Sequence, residues 1–294
     1  MDFTQLFVDV DDFWLAFKPG YQKRLLASGS RQRQRDTRLS TSEIMTILIA
    51  FQTSGHRTFK HFYLHLLAHH RREFPHLVRY HRFVALIGRA TVPLFGYLWR
   101  RCRGRVTGIG FVDSTALKVC GNKRIRRHRV FSGLATVGKT TMGWFLGFKL
   151  HLVINDRGQI LRLAFTPGHV DDRQPMDLLS DGLWGKLFGD KGYIGKRLFD
   201  RLLARGVKLV TSIRANMKNK LMDLTEKLLL RKRSLIETVN DQLKNVCQIE
   251  HSRHRSPQNF VAHLLAGLIA YTKKPKLPSL NLHWTTNESN LILA

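Results

Sequence analysis

Cysteine is scarce in this 294-residue chain. Cys102, Cys120 and Cys247 are odd in number, widely spaced and never form a CxxC pair. That excludes a disulfide framework and gives no sign of a cysteine-built zinc site, and it suits a reducing compartment. Long apolar runs are missing too. The most apolar stretch near the C-terminus, Phe260 to Tyr271, contains His263 and falls short of the roughly 20 residues a membrane-spanning helix needs. The N-terminal residues Met1, Asp2, Phe3 and Thr4 lack the basic segment of a secretory signal. A membrane partner is disfavoured, and the cytoplasm is the expected location.

Negative charge is the third shortage. The chain has 21 Asp and Glu against 49 Lys and Arg, a formal net charge of +28. Such a surface attracts a polyanion, with an affinity that falls steeply as salt rises. Nucleic acid is the leading partner class. Hydrophobic residues make up 43% of the chain, enough for a proper core, and the length suggests about two domains.

What is present sorts into two textures. Residues 1–103 read as helical. Ser40, Thr41, Ser42 and Glu43 offer a capping-box start to an apolar helix, Ile44 to Phe51, that ends near Gly55. Further helices are expected over Thr58 to Arg72 and over Arg82 to Arg100, despite Pro93. Arg31 to Arg38 form a basic loop. From Val106, short β-like runs appear: Val106 to Val112, Trp144 to Ile154 and Ile160 to Phe165. Asn155, Asp156, Arg157 and Gly158 form a hairpin turn between the last two. There follow a helix at Gln174 to Leu183, a strand at Lys186 to Phe188, a helix at Lys196 to Ala204 and a strand at Lys208 to Ile213. A later helix spans Arg233 to Ile249, with Ile236, Val239, Leu243 and Val246 as its buried stripe. This order implies an α/β sheet with flanking helices, for which an RNase H-like arrangement is one fit. The expected divisions are 1–103, 104–272 and an extended or poorly ordered tail, 273–294.

Three of the scarce acids stand out. Asp113 closes the apolar run Gly108 to Val112, Asp190 follows Lys186 to Gly189, and Glu237 lies among cations on a helix. Two strand-end aspartates would meet at one sheet edge if their strands are parallel neighbours. With a helical glutamate they could hold two hard divalent cations. The blander alternative remains open: an Asp after a strand is often a turn former, and a Glu beside Lys and Arg is usually a solvated ion pair. Asp241 could be that partner.

Lys123, Arg124, Arg126, Arg127 and Arg129 follow the first acid closely and suit a loop gripping backbone phosphates. Lys218 to Lys220, Arg231 to Arg233 and His251 to Arg255 extend the basic pattern. His61, His65 and His69 share a helix face, but the outer two lie about 12 Å apart, too far to chelate one ion. They read as a polar stripe. His169 reads as structural, and Asp171 and Asp172 as helix caps or spare ligands.

Gly110 to Thr115, Gly189 to Ile194 and Arg233 to Lys244 together resemble the three signatures of bacterial DDE transposases, closest to insertion-sequence family 982. Phe148 to Leu152 and Thr166 to Gly168 are similar to that branch as well. The acids are separated by 77 (190 − 113) and 47 (237 − 190) residues. The resemblance implies an RNase H-like mixed sheet preceded by a helical DNA-binding region, with Asp113, Asp190 and Glu237 as the acidic triad. It also implies two Mg²⁺ ions, with Mn²⁺ able to substitute, and DNA contacts from Arg233 and Lys244. The partners it implies are double-stranded element ends and target DNA, bound by a homodimer associated with the nucleoid. The broader pattern often has a tyrosine seven residues before the glutamate; Leu230 stands there, so no role is carried over. A metal-dependent nuclease without strand transfer and a non-catalytic nucleic-acid-binding relic are the alternatives.

Overall fold

The computed structural model of the protein describes residues 2–29, 37–141, 143–213, 222–250, 254–280, 282–284 and 291–293. Arg31 to Asp36 of the basic loop, Lys218 to Lys220 and His251 to Arg253 lie outside the described residues. The chain forms two compact units. One combines residues 1–102 with 243–273, the other 103–242 with 274–294.

The first unit is helical: α1 (Phe3–Ala27), α2 (Thr41–Phe51), α3 (Phe59–His69), α4 (Tyr80–Leu86), α5 (Thr91–Arg101) and, late in the chain, α10 (Pro257–Thr272). The capping box forms as expected. Ser40 Oγ accepts from the Glu43 amide at 3.0 Å, and Glu43 Oε2 accepts from the Ser40 amide at 2.6 Å. Every residue of α2 from Ser42 to Phe51 is buried, as is most of α10, so these two helices are the centre on which α1 and α5 pack. The single helix expected over Arg82 to Arg100 is instead α4, a 3₁₀ turn at Ile87–Ala90, and α5. Pro93 thereby falls in the first turn of α5, where a missing amide hydrogen leaves no broken bond. Among the described residues no helix is long and apolar enough to cross a membrane.

The second unit is a mixed sheet. Its strands are β1 (Ile109–Lys118), β2 (Thr136–Thr140), β3 (Gly143–Asn155), β4 (Ile160–Pro167), β5 (Gly185–Gly189) and β6 (Val207–Thr211). The order is β2-β3-β1-β5-β6, with β4 also paired to β3. β3 is antiparallel to β1, β2 and β4, while β1, β5 and β6 run parallel. The hairpin turn forms as read: Asn155 Oδ1 accepts from the amides of Arg157 and Gln159, and Gly158 takes the left-handed conformation. α6 (Met176–Leu179) and α7 (Lys196–Leu203) contribute Met176, Leu179, Leu198 and Leu202 to one core with Val112, Val153 and Leu187. α8 (Leu224–Arg231) packs by β5 and β6, and α9 (Ser234–Asp241) by β1. A mixed sheet with flanking helices is compatible with the RNase H-like expectation. Near the C-terminus, Leu282–Trp284 (β7) pairs antiparallel with Leu291–Leu293 (β8).

Three local expectations are corrected. β1 starts later and runs past Asp113 to Lys118, because the long β3 pairs with it throughout. The helix expected at Gln174 to Leu183 shrinks to α6, bounded by Pro175 and by Gly182 at φ +63°. The helix expected over Arg233 to Ile249 gives way after Asp241 to a π turn, Gln242–Val246. That wider turn moves the buried stripe one residue along, so Cys247 is buried and Val246 is exposed.

In the helical unit, Gln52 Nε2 donates to His263 Nδ1 at 3.2 Å and to the His263 carbonyl at 3.3 Å. The His254 and His263 rings lie 5.0 Å apart. Burial holds His254 down to about 4 and His263 well below the usual histidine range, with His254 adding to the effect at His263. The unfolded chain therefore takes up protons below its ordinary histidine pKa near 6.5 that the native chain refuses. Stability is fully present above that pH and lost as pH falls toward 4. Thermal unfolding of the full chain should show a lower Tm at pH 5 than at pH 7, and His254→Gln should shrink the difference. A Tm independent of pH over this range would contradict the assignment.

Candidate active site

Asp113 lies mid-strand in β1, at the level where β5 ends. The parallel ladder pairs Ile109 with Lys186, Gly110 with Leu187 and Phe111 with Phe188. The offset is 77 throughout (186 − 109), the same as between Asp190 and Asp113 (190 − 113). The two aspartates thus sit level, two residues beyond the last pair, and on the same face as Phe111 and Phe188, since side chains alternate along a strand. Those two rings stack at 5.5 Å directly before them.

α9 brings the remaining groups. Arg233, Glu237 and Asn240 are spaced by four and three residues, so they share one helix face. Asn240 Nδ2 donates to Asp113 Oδ2 at 3.1 Å. Arg233 reaches both acids, with Nη1 4.0 Å from Asp113 Oδ1 and Nη2 2.5 Å from Glu237 Oε1. Asp113 is half-buried and Glu237 exposed. Asp190 caps a 3₁₀ turn, Lys191–Tyr193, by accepting from the Lys191 amide at 2.6 Å. Its turn-former role and its place beside Asp113 therefore coexist.

Burial raises the Asp113 carboxyl to about 6. Arg233 and the Ser114 amide pull it down, while Glu237 and Asp190 push it further up. The three carboxylates share one electrostatic neighbourhood, with Arg233 as the counter-charge between two of them. Among the described residues, no three His, Cys, Asp or Glu side chains converge closely enough to enclose a metal ion. The donor types nonetheless suit a hard divalent cation: three carboxylates plus Asn240 Oδ1, a buried carbonyl oxygen that accepts no hydrogen bond.

Lys123, Arg124, Arg126 and Arg127 occupy an exposed 3₁₀ turn, Asn122–Arg127, with exposed Arg129 shortly after it. Lys244 lies in the π turn and pairs with Glu250 at 3.1 Å. Asp241 is exposed. Asp172 pairs with Lys149 at 2.9 Å, and Asp171 with Arg173, whose guanidinium holds the Asp171 carboxyl down to about 2. His169 Nδ1 lies 2.8 Å from Thr136 Oγ1, in keeping with a structural histidine.

Sequence reasoning passed over two residues. Asn240 could have been found from its helical spacing to Glu237. Tyr193 carries no such signal. Its hydroxyl is buried without a hydrogen-bond partner, and burial, then Asp172, Asp113 and Asp190, keep the phenol protonated.

A family model described as a transposase DDE domain matches residues 103–257, more than half of the chain. No curated protein matches the chain.

Asn240→Ala removes the amide that orients Asp113. Mn²⁺ affinity, followed by electron paramagnetic resonance, should fall about 10–100-fold, the usual effect of losing such an outer partner. Unchanged affinity in a folded variant would remove Asn240 from the site.

Proposed function

We propose that this chain, which belongs to the transposase DDE domain family, is an insertion-sequence transposase of the bacterial family 982 type that cuts DNA at its element's ends and joins them to a target. The observation that carries this reading is the shared register of Asp113 and Asp190, with α9 set against β1 by the Asn240–Asp113 bond. Asp113, Asp190 and Glu237 would hold two Mg²⁺ ions, or Mn²⁺ in their place. Such ions, when bound, lower the pKa of the attacking hydroxyl and neutralise charge on the leaving oxygen.

The chain's own groups prepare the rest. Asn240 holds Asp113 in one orientation, which reduces the reorganisation needed when substrate arrives. Arg233 offsets the mutual repulsion of Asp113 and Glu237, and on binding DNA it turns to a backbone phosphate. Water attack on phosphorus displaces the 3′-oxygen at the element end, and the 3′-hydroxyl so freed then attacks a target phosphodiester, displacing the target strand's own 3′-oxygen. No covalent link to the protein forms, so no serine or tyrosine nucleophile is required. Lys123, Arg124, Arg126, Arg127, Arg129 and Lys244 contact phosphates. The helical N-terminal region and the Arg31 to Arg38 loop read the terminal inverted repeats. Two ends require at least a dimer on DNA, in the cytoplasm at the nucleoid. The net charge of +28 supports the polyanionic partner.

Purified protein incubated with end-bearing duplex, target plasmid and Mg²⁺ should yield joined product; cutting without joining would favour a plain nuclease. Asp113→Ala, Asp190→Ala and Glu237→Ala should each abolish cleavage while end binding persists. Residual Mg²⁺-dependent cleavage in any of the three would sink the triad. Lys244→Ala should weaken DNA binding and reduce the slope of log affinity against log salt by about 0.9; an unaltered slope counts against its phosphate contact.

A further inference from the structure

The helical unit contains a cavity of about 1230 Å³, larger than the roughly 300–1,000 Å³ typical of small-molecule clefts. Among the described residues no Asp or Glu lines it, whereas Arg57, Lys60 and Arg255 do. Two helices begin on its wall, α3 after Thr58 and α10 after Ser256, and neither has an acid in its first turn. Arg57 and Lys60 thus stand at a helix N-terminus, the end where the helix dipole disfavours cations and favours anions. In place of the acidic residue that would stabilise such an end, the chain supplies more positive charge. An anion from outside the chain satisfies both the dipoles and the cations.

The rest of the wall narrows the class of anion. Phe59, Tyr80 and His81 form a run of rings, with Phe59 to Tyr80 at 6.3 Å and Tyr80 to His81 at 5.6 Å. A bare phosphate would need neither the rings nor the volume. Paired bases are stacked inside a duplex and cannot enter a concavity, whereas bases of a single strand present their faces to aromatic side chains. We propose that this cavity holds unpaired nucleotides of a DNA strand, with Arg57, Lys60 and Arg255 on the phosphates and Tyr80 and His81 against the bases. The choice of DNA rests on the transposase reading; the phosphate-and-base chemistry rests on the cavity.

The test uses the full chain, with fluorescence anisotropy of a short labelled oligothymidylate and of a blunt duplex across a salt series. Arg57, Arg255 and His81 are exposed, so their substitution leaves the core untouched. The double variant Arg57→Gln, Arg255→Gln should lose at least about tenfold in strand affinity and reduce the salt slope by about 1.4, at about 0.7 per phosphate contact. His81→Ala should lose about fivefold or more. The duplex should lose less than the strand in each variant. Unchanged strand affinity, or equal losses on strand and duplex, would overturn the proposal. Displacement of the strand by an equal concentration of thymidine monophosphate would also overturn it, in favour of a free-nucleotide site. Tighter binding of an oligouridylate would overturn the assignment to DNA. Cleavage of end-bearing duplex by the unaltered protein keeps the two readings apart. No cleavage together with cavity-dependent strand binding breaks the transposase reading alone; cleavage together with cavity-independent strand binding breaks this one alone.

Discussion

The acidic site depends on the parallel pairing of β1 with β5. Only three residue pairs define that ladder, yet a slip of one residue would turn Asp190 to the opposite face of the sheet from Asp113. Two features hold the register. Phe111 and Phe188 stack at the end nearest the acids. At the other end the Lys186 amide donates to the Gly108 carbonyl at 2.8 Å, where Gly108 and Gly185 have φ of +83° and +86°. A β-carbon at Gly185 would run into the Gly108 backbone, so the close approach that starts the ladder requires glycine there.

Electrostatics then distinguishes Asp113 from acids such as Glu226 and Asp177. Glu226 is held by Lys186 and Lys208, and Asp177 by Arg201 and Arg205. Asp113, in contrast, is half-buried beside two other carboxylates, with its nearest guanidinium 4.0 Å away and engaged with Glu237. In a chain of net charge +28 that is an unusual concentration of negative charge. Desolvation makes it costly without a cation and strongly attractive to one.

Several elements were legible because their signals are local. The Ser40–Glu43 capping box, the Asn155–Gly158 turn and the β5-α7-β6 succession each depend on residues close together in the chain. Others depend on partners far away. β1 continues through Ser114, Thr115 and Ala116, a weak strand signal by itself, because β3 supplies a partner for every residue as far as Lys118. β2 went unread because its five residues, Thr136 to Thr140, gain strand structure only from the start of β3. The π turn after Asp241 changes which residue is buried without leaving a compositional trace. Asn240 read as one polar residue on a helix until its amide was placed against Asp113, 127 positions away.

The sequence by itself determined the excess of basic charge, the shortage of acids, the order and spacing of Asp113, Asp190 and Glu237, and the family resemblance those spacings carry. These are properties of composition and linear order, which need no partner. Only the tertiary structure decided that Asp113 and Asp190 stand level across a parallel ladder, that Arg233 spans two of the acids, and that Asn240 grips the first. It also decided that residues 243–273 join residues 1–102 in one compact unit. Each of these is a long-range pairing, set by which buried faces and backbone edges satisfy one another. Such complementarity exists only once the chain has folded.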